Sequence, residues 1–354
     1  MPYEVKIKKL PKSEVEMGAT LPADFLVSAR KKAIGMFSTS LDIAGFRKGH
    51  VPENIVVEKI GEDKILEEAT DILLKEHFPK IMEENKLDII GHPKISITKL
   101  ALGNPVEFKA VFAVMPEFEL PDYRKIAASS KQQVASKEKR EDLEAGEEEI
   151  ENVLLQIRKN KAHFDYHEKH PEDKTHNHEI KDEDLPVLDD EFAKMAGNFK
   201  NLDELKNKVK ENIIAEKKIR NIEKKRAEII EELLKNTKIE MPEILIESET
   251  QKSLAQMEGD VESTGNKWEE YLSQVKKTED DLKKDLRESS EKKAKIQLIF
   301  NKIAEVEKLE PNKEILENEV KEVLKYYPNA SEQNARIYVA TILLNSEVLK
   351  LLEK

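Results

Sequence analysis

Between Gly146 and Gly259 the chain holds one glycine, Gly197. A stretch this long with so few glycines argues against a compact sheet, and no segment in it alternates like a strand. That part of the chain is restricted to helix and irregular connection, and the apolar spacing agrees. Leu202, Leu205, Val209 and Ile213 keep to one helical face, and Ile229, Ile230, Leu233 and Leu234 keep to the next. Ile296, Ile299, Phe300 and Ile303 mark another. Pro242, after Met241, stands where a helix begins, and Thr264-Gly265-Asn266 marks a turn before Trp268. Pro311 and Pro328 punctuate the tail.

The first part of the chain reads differently. Tyr3, Val5 and Ile7 alternate with charged residues, the period of a strand with one buried face. Pro22 opens a helical stretch through Phe25, Ala29, Ala33 and Met36, and Pro52 opens another. Ile65, Ala69, Ile72, Leu73, Phe78 and Ile81 continue with helical spacing. Ile95-Ser96-Ile97 and Val106 to Val114 then read as strands. The expected fold class is multidomain α+β: an N-terminal α+β domain followed by an extended all-α C-terminal domain.

Charge and cysteine content narrow the function. The 60 Lys+Arg against 72 Asp+Glu give a formal net charge of -12, so phosphate backbones repel the chain as a whole. Binding to DNA is not expected, and any contact with RNA needs a local basic patch. With no cysteine, thiolate metal sites and cysteine nucleophiles are excluded. The opening MPYEVKIKKLPKSEVEM lacks the apolar stretch of a secretory signal, and no apolar run approaches the roughly 20 residues that span a bilayer. The expectation is a cytoplasmic protein without membrane contact.

The basic patch is found at Ala44-Gly45-Phe46-Arg47-Lys48-Gly49-His50-Val51-Pro52. One aromatic and two cations between glycines suit an exposed loop tip that docks on something anionic. The first fifty residues carry nine Lys/Arg against five Asp/Glu. The motif resembles the G-F-R-x-G-K-x-P signature of trigger factor, a family of bacterial ribosome-associated chaperones. Met115-Pro116-Glu117-Phe118 resembles the end of that family's ribosome-binding domain. Leu188-Asp189-Asp190-Glu191-Phe192-Ala193 and Ile239-Glu240-Met241-Pro242 resemble segments of its helical domain. The resemblance implies that Phe46, Arg47 and Lys48 contact the ribosome beside the exit tunnel, at a ribosomal protein and nearby RNA. Gly45 and Gly49 would shape that loop. His50 departs from the family's usual lysine, which lowers the docking charge near neutral pH.

A larger departure is an absence. The family typically carries an FKBP-like peptidyl-prolyl isomerase domain, about 100 residues and β-rich, between its two other parts. Here that place holds HFDYHEKHPEDKTHNHEIKDEDLP, with His163, His167, His170, His176 and His178 and almost no aliphatic residue. His163, His167 and His170 fall at i, i+4 and i+7, a spacing that could present imidazoles to zinc or nickel. Pro171 and the missing apolar shell favour a solvated linker instead. Neither G-x-S-x-G nor G-x-x-x-x-G-K-[ST] occurs.

The expected organisation is a ribosome-binding domain over 1–118, a connecting segment and first helix over 119–164, a charged linker over 165–185, and a helical chaperone domain over 186–354. The expected function is ATP-independent holding of nascent or unfolded chains at the ribosome. No catalytic residue, cofactor or metal is expected, and a homodimer stays open. Two other readings stand beside this one: a prolyl isomerase with an unrecognised site, and a non-ribosomal helical scaffold. Leu254, Met257, Trp268, Tyr271, Leu272 and Leu343 are expected to be core, the alternative being partial exposure toward clients.

Overall fold

The computed structural model describes residues 3–129, 144–169 and 185–353. The N-terminal elements are β1 (Glu4–Leu10), β2 (Glu14–Leu21), α1 (Ala23–Ser40), α2 (Glu53–Ile60), α3 (Glu62–Glu84), β3 (Ile89–Lys99) and β4 (Val106–Val114). Only helices follow among the described residues: α4 (Glu147–Lys169), α5 (Asp190–Gly197), α6 (Leu202–Asn236), α7 (Glu243–Ser263), α8 (Trp268–Val275), α9 (Glu279–Glu307), α10 (Lys313–Tyr326) and α11 (Glu332–Glu353). They group into two compact units. One joins Met1–Glu119 to Thr237–Ile299, and the other joins Leu120–Asn236 to Phe300–Lys354.

In the first unit the four strands form an antiparallel sheet in the order β1-β2-β4-β3. Three strands are expected from the sequence; β2 is not. Its signal is present all the same. Val15, Met17, Ala19 and Leu21 alternate, and each lies opposite Phe112, Ala110, Phe108 and Val106 of β4, all buried. Leu26, Ala29 and Ala33 of α1 and Ile65, Ala69, Leu73 and Ile81 of α3 cover that face. Each of α1 and α2 begins just after a proline, where a missing N–H is no loss. Arg30 fastens the helices together. Its Nε and Nη2 donate to both Glu62 oxygens at 2.6 and 2.8 Å, and its Nη1 reaches Glu53. The guanidinium holds the Glu62 carboxyl below its ordinary pKa.

The later part of the same unit holds two small cores. Met241 and Ile246 pack with Ala294, while Leu254, Trp268 and Leu282 form a second cluster with Met257, Tyr271 and Leu272 at its edge. Trp268 stacks on Tyr271 with centroids 5.5 Å apart and donates to Glu279 at 3.1 Å. The β1–β2 hairpin tip meets this part: Ser13 Oγ donates to the Glu240 carbonyl at 2.7 Å, and Lys12 pairs with Glu243 at 3.1 Å.

The second unit is helical. Leu154 of α4 packs with Phe192, Ala193, Leu205, Val209 and Ile213, which seats the helix before the His-rich stretch against α5 and α6. Asp189 caps α5 by accepting the Phe192 N–H at 2.8 Å. Helices α10 and α11 pair through Val320, Ala335 and Val339, with Leu343 against them.

Two expected boundaries need correction. Residues 165–169, expected as linker, belong to α4, which runs to Lys169, and Leu185 at the far end of the expected linker is buried. Residues 170–184, with His170, His176 and His178, lie outside the described residues. The helices expected as one domain over 186–354 divide at Thr237 and Ile299, and α9 runs through the second of these points. The decisive cause is packing between helices far apart in sequence, which helical periodicity does not encode.

Candidate functional site

The segment from Leu41 to Pro52 leaves the end of α1 and returns to the start of α2. Two hydrogen bonds define its shape. Phe46 N–H donates to the Ile43 carbonyl at 3.1 Å, and His50 N–H donates to the Arg47 carbonyl at 2.9 Å. In the third position of each turn sits a glycine, Gly45 with φ +93° and Gly49 with φ +82°, while Ala44 and Lys48 stay out of the positive-φ region. Both are thus type II turns, which require positive φ at that position. The G-x-x-x-G spacing has a structural meaning: two equivalent turns placed back to back.

Phe46 and Arg47 form the crest between the turns. Phe46 is 40% exposed, high for a phenylalanine that nothing requires to face water. Arg47 is exposed and makes no ion pair among the described residues, whereas Lys48 lies 3.8 Å from Asp42, both well exposed. The structure therefore brings Gly45, Phe46, Arg47, Lys48 and Gly49 together on one exposed loop. It offers an apolar ring, a free guanidinium and a partly compensated ammonium. Such a surface suits a partner with an apolar contact point beside acidic or phosphate oxygens.

One residue that organises the loop escapes sequence reasoning. Ser38, buried in the last turn of α1, accepts the Val51 N–H on its Oγ at 3.0 Å, and its carbonyl accepts the Gly49 N–H at 2.9 Å. Nothing local marks it, because its partners stand 11 and 13 residues ahead.

Elsewhere, His163 and His167 lie one turn apart on α4 with ring centroids 4.5 Å apart. Among the described residues no group of three or more His, Cys, Asp or Glu is placed to hold a metal ion. None of the described helices is long and apolar enough to cross a membrane. Leu254 and Trp268 are buried, and Met257, Tyr271, Leu272 and Leu343 pack at core edges, as the core expectation has it. Other apolar residues are exposed, Val187, Phe164, Met195 and Ile219 among them. Tyr326 is 80% exposed, and Tyr327, Ile337, Tyr338 and Ile342 are also exposed, at the end of α10, just beyond it and on α11.

Comparison with known proteins places this architecture. Residues 3–157 match the family model of the bacterial trigger factor protein, and residues 201–350 match the model of the trigger factor C-terminus. The trigger factor of Clostridium kluyveri is 26% identical over 430 positions that cover 98% of each chain. That of Alkaliphilus oremlandii is 27% identical over 387 positions, 90% of each. A solved trigger factor chaperone, described for promiscuous substrate recognition in folding and assembly, shares the fold at a TM-score of 0.55. It has 17% identity, and the match covers 98% of this chain and 99% of that one. The 430-position alignment exceeds the 354 residues here, so at least 76 positions of that relative have no counterpart. Between the two family matches lie only residues 158–200, less than half of a domain of about 100 residues. The chain belongs to the trigger factor family of bacterial chaperones, in a form with no room for the isomerase domain between its two parts.

Proposed function

We propose that the chain is an ATP-independent chaperone that docks at the ribosomal exit site through Gly45, Phe46, Arg47, Lys48 and Gly49. The observation that carries this reading is the crest itself, an exposed phenylalanine and an unpaired arginine held between two glycine turns. Ribosomal RNA or an acidic side chain of a ribosomal protein meets Arg47 and Lys48, while Phe46 enters an apolar contact. Counterion release makes such docking weaken with salt, and the phenylalanine adds a part that salt does not remove. Replacing Phe46, Arg47 and Lys48 together with alanine abolishes most co-sedimentation with ribosomes and leaves the circular dichroism spectrum unchanged. Normal pelleting of that variant would sink the assignment.

Clients are nascent or unfolded chains, held reversibly on the exposed side chains of the α10–α11 pair. Each contact removes apolar surface from water at roughly 25 cal/mol per Å² before the costs of association. No nucleotide is required, and the protein acts in the cytoplasm. We infer also that it is not a prolyl isomerase. Catalysis against a barrier of about 18–20 kcal/mol needs a preorganised proline pocket. Residues 158–200 are too few to build the usual one. A protease-free assay on a short X-Pro peptide then relaxes at the uncatalysed rate, over about 10–100 s at room temperature. Acceleration in proportion to protein concentration would overturn this.

A further inference from the structure

Three hydroxyl residues in a row close α1: Ser38, Thr39 and Ser40. Two of them fold back on their own helix. Thr39 Oγ1 donates to the Met36 carbonyl at 2.7 Å and Ser40 Oγ to the Phe37 carbonyl at 3.0 Å, ordinary bonds for such residues at a helix end. Ser38 reaches across instead. Its Oγ accepts the Val51 N–H at 3.0 Å and lies 3.5 Å from the Val51 carbonyl, which it faces as a donor. Its own carbonyl, otherwise one of the unsatisfied groups of a helix C-terminus, accepts the Gly49 N–H at 2.9 Å. Ser38 is 4% exposed and Val51 7%. The Ser38 bonds converge on the return limb of the loop, after the crest.

We propose that Ser38 is a positioning residue for the docking loop, holding Gly49 and Val51 so that Phe46 and Arg47 stand in one orientation before any partner arrives. The inference rests on the docking reading of the loop. Every residue from Ala44 to His50 is exposed, so packing does little to fix this segment. The two turns fix its local shape, and Ile43 and Val51 at its ends pack against the domain core. Ser38 adds the directional bonds that set the angle at which the return limb leaves that core. Its side chain can accept one bond and donate another at a buried position, which alanine cannot do and cysteine does only weakly. Without the hydroxyl, the buried Val51 N–H must find water, and the cheapest way is for the return limb to lift away from α1. The loop then spends only part of its time in the competent orientation, and apparent affinity falls by that fraction.

The test uses the full chain in co-sedimentation with purified bacterial ribosomes over a range of salt. Ser38→Ala raises the apparent Kd about tenfold, as expected if the competent orientation falls to roughly one tenth. The slope of log K against log salt stays as in the parent, because Arg47 and Lys48 still make their contacts once docked. Amide exchange at Gly49 and Val51 quickens in the free protein, while the thermal unfolding midpoint moves little. Ser38→Thr, which keeps the hydroxyl, returns affinity to within about twofold of the parent. Should Ser38→Ala fail to fold, Ser38→Cys preserves the volume and is expected to show the same loss.

Parent-like binding by the alanine or cysteine variant overturns the proposal, as does weakened binding that threonine does not restore. A changed salt slope in Ser38→Ala also overturns it, since that means lost contacts and not lost orientation. Normal binding by the Phe46/Arg47/Lys48 alanine variant strikes the docking reading itself. Loss in that variant beside normal binding by Ser38→Ala strikes only the role given to Ser38.

Discussion

Gly49→Ala forces an alanine into φ near +82° with its methyl 3.4 Å from Thr39 Cγ2, a strain of about 1–3 kcal/mol. The turn is exposed and relaxes locally, so the cost appears in docking more than in unfolding. Co-sedimentation of Gly49→Ala is expected to fall several-fold with little change in thermal midpoint. Gly49→Asn should lose less, because asparagine tolerates the left-handed region. Equal loss in both would mean that side-chain bulk, and not backbone conformation, disturbs the site. At this scale the sequence is readable in part. The glycines, the phenylalanine and the two cations announce an exposed, charged tip through their types alone. The turn bonds and the Ser38 bonds are not announced, because they join groups whose proximity is a product of folding.

Three elements meet at His77 of α3. Its ring stacks on Phe25 of α1 with centroids 4.3 Å apart, and its Nδ1 lies 3.0 Å from the hydroxyl of Tyr3, just ahead of β1. Burial, with help from Lys80, lowers its pKa below the ordinary 6.5. Between the two values the unfolded chain binds more protons than the folded one, so stability rises with pH there. The contribution is complete above about 6.5 and is lost as pH falls through the folded value. Denaturant titrations at about pH 7.5 and pH 5.5 should show a smaller pH difference for His77→Phe than for the parent. An undiminished difference would assign the effect to other groups. Elements were legible wherever one period dominated, as in α3 and β4. Strand β2 is hard to read because glycine, alanine and threonine dilute its alternation, although Val15, Met17 and Leu21 carry it.

For the whole molecule, the client holding proposed above rests on side chains that packing leaves uncovered. Replacing Tyr326, Tyr327, Tyr338 and Ile342 with serine is expected to shorten the delay of client aggregation roughly twofold or more. A fully buried large apolar side chain contributes about 1.5–3 kcal/mol to such contacts. Ribosome co-sedimentation of that variant should stay unchanged. Undiminished suppression would move the client surface elsewhere. This surface was not legible, since periodicity says which residues share a helical face and not which faces find partners. The division of the chain into units was hidden for the same reason, and it bears on synthesis. A ribosome delivers residues in order, so the sheet with its docking loop can form once about residue 119 has emerged. The hairpin tip at Lys12 and Ser13 must then wait for Glu240 and Glu243, over 121 further residues. At about 5–20 residues per second that interval is on the order of ten seconds. For that time the newborn protein already carries the loop proposed to dock on ribosomes, while the helices that complete its unit are still being made.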